Sequence, residues 1–312
     1  MRVAAAQASS VWLDKDATAK KALNLLTQAA QLDVDLIAFP ETFLSGYPFW
    51  VERTDGARFN SAQQKAAYAA YLEAAVEIDG PELRLLIEAV DDLGVFTYLG
   101  ITERGSGSAR GTVYCTLVAI EPGRGIVSSH RKLIPTFEER LVWGAGDGHG
   151  LRVHTVGDTR VGGLNCWENW MPQARHALYA GGEDLHVSVW PGSPRHTRDL
   201  ARFIAMEGRV FSLAACGLLH LDNVPADFPL RDLLEEAAER DYYDGGSAIA
   251  GPSGEWLVEP VVGEERLVVA DLDLSAVRRE RQNFDPTGHY SRPDVFQVRV
   301  NRRRLEAAVF EE

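Results

Sequence analysis

The stretch DATAKKALNLLTQAAQLDVDLIAFPE, residues 16–41, predicts a helix followed directly by a strand. Between Asp16 and Gln31, leucine and alanine recur at three- and four-residue spacing, which is typical of a helix with one apolar side. Residues 34–39 form a short apolar run rich in β-forming residues, which is typical of a buried strand. A helix that leads into a buried strand indicates an α/β protein. Glu41 comes at the point where the chain leaves this strand.

The same alternation continues on both sides of this stretch. The glycine-rich residues 105–108 predict a hairpin loop, so part of the sheet should be antiparallel. No linker divides the chain, which favours one domain over residues 1–275, followed by an arginine-rich arm, residues 276–312, packed on the body or on a neighbouring subunit. The predicted strands are 2–7, 95–102, 112–120, 125–131, 161–166, 185–190, 210–216, 246–251 and 266–271, and the further helices are 62–78, 81–94, 172–180, 195–208 and 232–240.

Composition narrows the classes of function. The 312 residues carry a formal charge of −13, which argues against nucleic acid or an anionic membrane as a partner. No apolar run reaches the length of a membrane span. The three cysteines include no CxxC pair, so neither a disulfide framework nor a zinc site is indicated. Free thiols favour a reducing compartment, and we expect a cytoplasmic protein.

Three residues at predicted strand ends are candidates for catalysis. Glu41 lies between an apolar strand and an aromatic loop, residues 43–50, whose walls would raise its pKa and suit it to proton transfer. Lys132 follows a strand in His-Arg-Lys-Leu-Ile-Pro-Thr, although most lysines are surface charges. Cys166 ends a glycine-rich strand, where a helix N-terminus and a lysine would favour the thiolate. Cys115 and Cys216 lie within apolar strands and are interpreted as inert core residues.

Taken together, these motifs resemble the nitrilase superfamily of carbon–nitrogen hydrolases. That family carries Glu, Lys and Cys in this order, and the matching positions are Glu41 in Phe-Pro-Glu-Thr, Lys132 in Arg-Lys-Leu-Ile-Pro-Thr and Cys166 in Leu-Asn-Cys-Trp-Glu-Asn. The likeness runs from residues 6–7 to residues 288–294. It implies a four-layer α-β-β-α sandwich with two mixed sheets. It also implies dimerisation through helices near the nucleophile, and therefore a homodimer or a larger homo-oligomer.

The resemblance further favours the true nitrilase branch, because Trp167, Glu168 and Asn169 follow the cysteine. It implies a second glutamate after the lysine, for which Glu139 is preferred and Glu138 is the alternative. Three aromatic residues are expected to contact substrate: Tyr47, Trp167 and Trp190. For the two tryptophans, packing in the core is an equal alternative.

The chemistry implied by the resemblance is nitrile hydrolysis to the carboxylic acid and ammonia. Cys166 would be the nucleophile, Glu41 the base, and Lys132 the cation that stabilises the intermediate. No cofactor and no metal are expected, since no ligand cluster or phosphate loop is present in the sequence. Two alternatives stay open. One is an amidase that uses the same residues, and the other is a non-catalytic binding protein with this fold.

Overall fold

Two mixed β-sheets, each covered by helices, form the body of the protein in a computed structural model that describes residues 1–237 and 239–308. The strands are β1 (Arg2–Ser9), β2 (Leu36–Ala38), β3 (Phe96–Arg104), β4 (Val113–Glu121), β5 (Gly125–Arg131), β6 (Val153–Val156), β7 (Thr159–Asn165), β8 (Leu185–Trp190), β9 (Phe211–His220), β10 (Asp241–Ala250), β11 (Trp256–Val262) and β12 (Arg266–Asp271). The helices are α1 (Lys15–Gln31), α2 (Trp50–Arg53), α3 (Ala62–Glu73), α4 (Pro81–Leu93), α5 (Pro172–Ala180), α6 (Pro194–Gly208), α7 (Arg231–Glu236) and α8 (Ser275–Glu280).

The first sheet has the order β5-β4-β3-β2-β1-β12, and the second has the order β6-β7-β8-β9-β10-β11. In the first sheet β1, β2 and β3 are parallel, and in the second β7, β8 and β9 are parallel. The remaining pairs within each sheet are antiparallel. The two sheets meet where β1 pairs with β9 at Ala8–Gly217 and Ser9–Leu218.

Apolar packing sets the order of the four layers. Helices α1 and α4 pack together on the outer face of the first sheet, and α5 and α6 pack on the outer face of the second. An apolar layer fills the space between the two sheets. The first sheet contributes Leu36 and Leu117, and the second contributes Val161, Val187 and Leu213. All five side chains are essentially inaccessible to solvent. Burial of this kind stabilises by about 25 cal/mol per Å² of apolar surface. The predicted α-β-β-α sandwich with two mixed sheets is confirmed.

Local sequence explains where individual helices begin and end. Helix α4 begins with Pro81, whose fixed φ suits the first helical turn, and it ends before Gly94, which has φ +71°. Helix α1 is capped by Asp14, whose carboxylate accepts the backbone N–H of Ala17 at 2.9 Å. Within the described residues, no helix combines the length and apolarity of a membrane span.

Several elements differ from the prediction. Strand β9 ends at His220 rather than at residue 216, β10 begins at Asp241 rather than at residue 246, and the short helix α2 was not predicted. Helix α3 ends at Glu73 rather than at residue 78, and α7 covers Arg231–Glu236 rather than residues 232–240, of which residue 238 lies outside the described residues. Strands β6 and β11 were not predicted. Both are only partly buried and mix polar with apolar residues, so their sequences lack the continuous apolar run of the inner strands.

The arginine-rich segment after residue 275 begins with the short helix α8, which its irregular pattern did not indicate. Beyond this helix, side chains between residues 281 and 304 contact the body of the same chain at separate points. Arg281 donates to Asp184 Oδ1 at 3.1 Å, next to the second sheet. Arg304 donates to Asp147 Oδ1 at 3.1 Å and to the backbone oxygen of Ser129 in β5 at 3.0 Å, at the first sheet. The segment therefore contacts both sheets.

Candidate active site

Four buried side chains converge where their strands and loops end. Glu41 follows β2, Lys132 follows β5, Glu139 lies in the short helical turn Phe137–Leu141, and Cys166 follows β7. The Nζ of Lys132 lies 3.0 Å from Glu41 Oε1 and 2.7 Å from Glu139 Oε2. A carboxylate oxygen of each glutamate and the Sγ of Cys166 lie within 4.8 Å of one another. The three residues predicted from strand ends are therefore brought together.

The two oxygens of Glu41 have different surroundings. Oε1 accepts hydrogen bonds from Lys132 Nζ at 3.0 Å and from Cys115 Sγ at 3.2 Å. Oε2 is buried and has no hydrogen-bond partner among the described residues. A buried carboxylate oxygen without a donor is an exception in folded proteins. Oε2 of Glu41 is therefore the carboxylate oxygen of this cluster that is available to accept a proton.

Glu139 is held more firmly. Its Oε1 accepts from the hydroxyl of Tyr47 at 2.7 Å, and its Oε2 accepts from Lys132 and from the backbone N–H of Thr136 at 2.5 Å. Thr136 and Glu139 form a reciprocal capping box. The neighbouring Glu138 is half-buried, and the ion pairs of Lys132 are with Glu41 and Glu139. Of the two glutamates considered from the sequence, Glu139 is the one beside the lysine.

The environment sets the charges of these groups. Burial raises the pKa of Glu41 to about 7, although the ammonium of Lys132 opposes this and the carboxylate of Glu139 adds to it. Burial alone would lower the pKa of Lys132, but the surrounding acidic groups outweigh it and raise the pKa well above its usual value. Lys132 is therefore charged, and Glu41 titrates near neutrality.

Burial dominates the pKa of the Cys166 thiol. Burial raises the pKa of its thiol well above the ordinary value, the charge of Glu41 adds to this rise, and Lys132 and the Trp167 N–H oppose it only in part. Lys132 and the backbone N–H of Trp167 do favour the thiolate, as expected, but desolvation outweighs them, and the sequence alone does not show the extent of burial. The resting thiol keeps its proton and needs a base to remove it.

The backbone presents Cys166 in an unusual conformation. Its φ is +44°, in the left-handed region that non-glycine residues rarely adopt. Asn165 and Glu168 form a capping box around the turn Cys166–Trp170. Asn169 Nδ2 donates to the backbone oxygen of Cys166 at 2.9 Å. These bonds hold a strained residue in place, an arrangement common where a side chain must reach a substrate.

The three aromatic residues predicted to contact substrate lie in different environments. Tyr47 is buried and bonds Glu139. Trp190 is buried in the same apolar cluster as Cys166, and its Nε1 donates to Ser188. Trp167 is 45% exposed and packs edge-to-face on His196. A cavity beside Glu41 is lined by Tyr47 but by neither tryptophan.

The charge pattern of the site argues against a resident metal ion. Glu41, Glu139 and Cys166 are ligand-type residues close enough to share an ion. However, the ammonium of Lys132 contacts both carboxylates, so a metal cation there would meet a positive charge at close range. Lys132 already supplies the positive charge that these two carboxylates need.

The sequence interpretation missed two residues that contact the site. Cys115, taken as inert core, donates its thiol hydrogen to Glu41, and no local pattern indicates this. Glu168 bonds the backbone on both sides of the site, through Leu133 N at 2.9 Å and Asn165 N at 3.0 Å. Its spacing from Asn165 matches the sequence signature of a capping box, so this signal was available.

Comparisons with known proteins show which family this chain belongs to. The family model described as carbon–nitrogen hydrolase matches residues 2–282. A nitrilase of Bradyrhizobium diazoefficiens is 37% identical over 98% of this chain and 94% of its own length. An aliphatic nitrilase of Sinorhizobium fredii is 34% identical over 99% of this chain and 98% of its own. The Nit3 structure of Saccharomyces cerevisiae, a member of the nitrilase superfamily, covers 93% of this chain and 96% of that one with a TM-score of 0.71 at 19% identity. The chain belongs to the carbon–nitrogen hydrolase family.

Proposed function

We propose that this protein is a nitrilase that converts an organic nitrile and two waters into a carboxylic acid and ammonia. The observation that carries the proposal is the buried cluster in which Cys166, Glu41 and Lys132 meet. Relatives named nitrilases, 33–38% identical over nearly the whole chain, support the choice of nitriles as substrates.

Charge and position suggest the first half of the reaction. The Oε2 of Glu41, which has no partner in the described structure, takes the proton of the Cys166 thiol while Sγ attacks the nitrile carbon. The proton passes to the nitrile nitrogen, which gives a thioimidate. A base with a pKa near 7 suits this task, because it is partly ionised at neutral pH and can also return the proton.

The second half needs stabilisation of a developing charge. Water adds to the thioimidate and gives a tetrahedral intermediate that loses ammonia, which leaves a thioester. A second water, activated by Glu41, then releases the carboxylic acid and the thiol. Lys132, kept charged by Glu41 and Glu139, is the proposed cation beside the intermediate. Glu139 is proposed to hold the lysine and the substrate.

The proposal also includes what the sequence predicted about substrate contacts, subunit assembly, domain bounds and cellular location. Tyr47, Trp167 and Trp190 are proposed substrate contacts. Helices α5 and α6 are proposed to join two subunits into a homodimer or a larger homo-oligomer. Residues 1–275 are proposed as the hydrolase domain and residues 276–312 as its arm, and the three free thiols support a cytoplasmic location.

The test compares nitriles with their matched amides. Ammonia release from aliphatic, aromatic and arylacetic nitriles, and from the corresponding amides, is measured with the purified protein and with Cys166→Ala. Turnover of at least one nitrile class and no turnover by the variant are expected. Much faster turnover of amides would instead indicate an amidase. An intact protein that forms no covalent adduct with any of these compounds would indicate a binding protein.

A further inference from the structure

Glu168 is a buried carboxylate that the proposed reaction does not use. Its side chain is fully inaccessible. Its Oε2 accepts from His130 Nε2 at 2.8 Å and from the backbone N–H of Asn165 at 3.0 Å, and its Oε1 accepts from the backbone N–H of Leu133 at 2.9 Å. All of its partners are donors, so the carboxylate form satisfies each of them.

The position of these donors along the chain gives the cluster its meaning. Leu133 directly follows Lys132, and Asn165 directly precedes Cys166. Asn165 adds a second link, because its Nδ2 donates to the backbone oxygen of His130 at 3.4 Å. One carboxylate thus joins the backbone beside the lysine to the backbone beside the thiol.

This link crosses the space between the two sheets. Lys132 extends β5 of the first sheet, whereas Cys166 extends β7 of the second. Backbone hydrogen bonds join the sheets at β1 and β9, and the backbone N–H of Glu41 donates to the oxygen of Trp190 at the end of β8 at 3.4 Å. Glu41 also belongs to the first sheet, because it follows β2. The thiol is therefore the one member of the cluster contributed by the opposite sheet, and its distance from the base depends on how the sheets are held together.

The charge of Glu168 suits this role. Burial opposes ionisation, but His130 and the three hydrogen bonds outweigh it, so the pKa of Glu168 is lowered. Charge-assisted hydrogen bonds of this kind are roughly twice as strong as neutral ones. Three of them on one buried carboxylate form a rigid connection.

We propose that Glu168 is a positioning residue that holds the Cys166 turn against the Lys132 segment and so sets the distance between the thiol and Glu41. The proposal rests on the proposed function and deepens it. The glutamate that marks the nitrilase-like sequence after the cysteine acts here through the backbone and does not touch substrate.

The test uses Glu168→Gln. In either orientation the amide places an NH₂ group against a backbone N–H, so one of the two backbone links is lost. Three quantities are measured: the rate at which iodoacetamide alkylates Cys166, followed by peptide mass; kcat and KM for the best nitrile; and the melting temperature. We expect kcat and the alkylation rate to fall by about 10- to 100-fold, the effect of a misplacement of about 1 Å, with KM little changed.

Glu82→Gln is the matched control, because Glu82 is an equally buried carboxylate paired with Lys15 at 3.5 Å, away from the site. It should keep the wild-type alkylation rate. A folded E168Q with wild-type kcat and alkylation, or with a loss no larger than that of E82Q, would overturn the proposal. The alkylation assay needs no nitrile, so a failure of the proposed function would appear separately, as absent turnover by the wild-type protein.

His130→Ala gives a second test if E168Q does not fold. It removes one donor and leaves both backbone links. The alkylation rate should fall about fivefold, the effect of one hydrogen bond, and His130→Gln, which restores an N–H donor, should recover part of this loss. His130 contributes most to keeping Glu168 charged, so its loss should weaken the hydrogen bonds to both backbone N–H groups. Unchanged alkylation in His130→Ala would therefore contradict the proposal.

Discussion

Two buried thiols lie beside the same carboxylate, and they differ in backbone conformation. Cys115 lies in the middle of β4, paired with Thr102 of β3, and its Sγ is fixed on Glu41 Oε1 at 3.2 Å. Cys166 follows β7 in a left-handed turn with φ +44°. It packs with Trp190, the last residue of β8. Burial raises the pKa of both thiols. Backbone placement at a strand end, rather than proximity to the base, distinguishes the proposed nucleophile.

The largest difference between the two thiols should appear when each is removed in turn. Cys166→Ala should reduce turnover by a factor on the order of 10⁶, as expected for loss of a nucleophile. Cys115→Ala should retain most of the activity, because its thiol only donates to Glu41. Ammonia release measures both variants, and a folded Cys166→Ala that keeps wild-type turnover would contradict the assignment.

Removal of Lys132 affects the carboxylates that both thiols face. Lys132→Ala leaves Glu41 and Glu139 buried without their cation. Loss of one partner from such a buried group costs about 3–5 kcal/mol, so urea unfolding should show a destabilisation of this size together with loss of turnover. Exposed Lys65, changed to Ala, is the control for loss of a lysine. Equal stability of the two variants would show that the buried ion pairs do not stabilise the fold.

The third comparison uses pH. The pKa of Glu41 is raised to about 7, so the carboxylate gains a proton as the pH falls through that value, and the neutral acid cannot deprotonate Cys166. Values of kcat/KM should therefore fall about tenfold per pH unit below about 7. Glu41→Gln should abolish this limb together with the activity. A profile that stays flat well below neutrality would exclude Glu41 as the base.

The smallest effect concerns the second thiol. Cys115→Ala removes a donor from Glu41 Oε1, and loss of a donor to the charged form raises the pKa of a carboxyl group. The acid limb of the pH profile should move upward by less than about one unit, since a hydrogen bond contributes about 1 kcal/mol and one pKa unit corresponds to about 1.4 kcal/mol. Cys115→Ser, which keeps a donor, should shift it less. A downward shift would show that the thiol does not stabilise the carboxylate.

The parts of the site that follow strands could be predicted from the sequence. Glu41, Lys132 and Cys166 each come after an apolar run, and the carboxyl ends of such strands are where ligands bind in α/β proteins. The fold class followed from the same alternation together with the family resemblance. Edge strands β6 and β11 escaped, because partial burial leaves no continuous apolar pattern.

The remaining features depend on contacts between distant parts of the chain. Cys115 meets Glu41 across 74 positions, and Glu168 meets Leu133 across 35, so no local pattern records either contact. The raised pKa of the Cys166 thiol could not be predicted either, because desolvation depends on how completely the sheets enclose the side chain. Periodicity describes which face of an element is buried, but not which side chains meet inside.

The division of the reacting groups between two sheets has a consequence for engineering. Because Cys166 alone comes from the second sheet, the apolar layer between the sheets controls catalytic geometry as well as stability. Substitutions that change side-chain volume in this layer, for example at Val187 or Leu117, alter the spacing without touching the substrate. Directed evolution for faster turnover should therefore accumulate mutations in this layer as well as around the cavity beside Glu41.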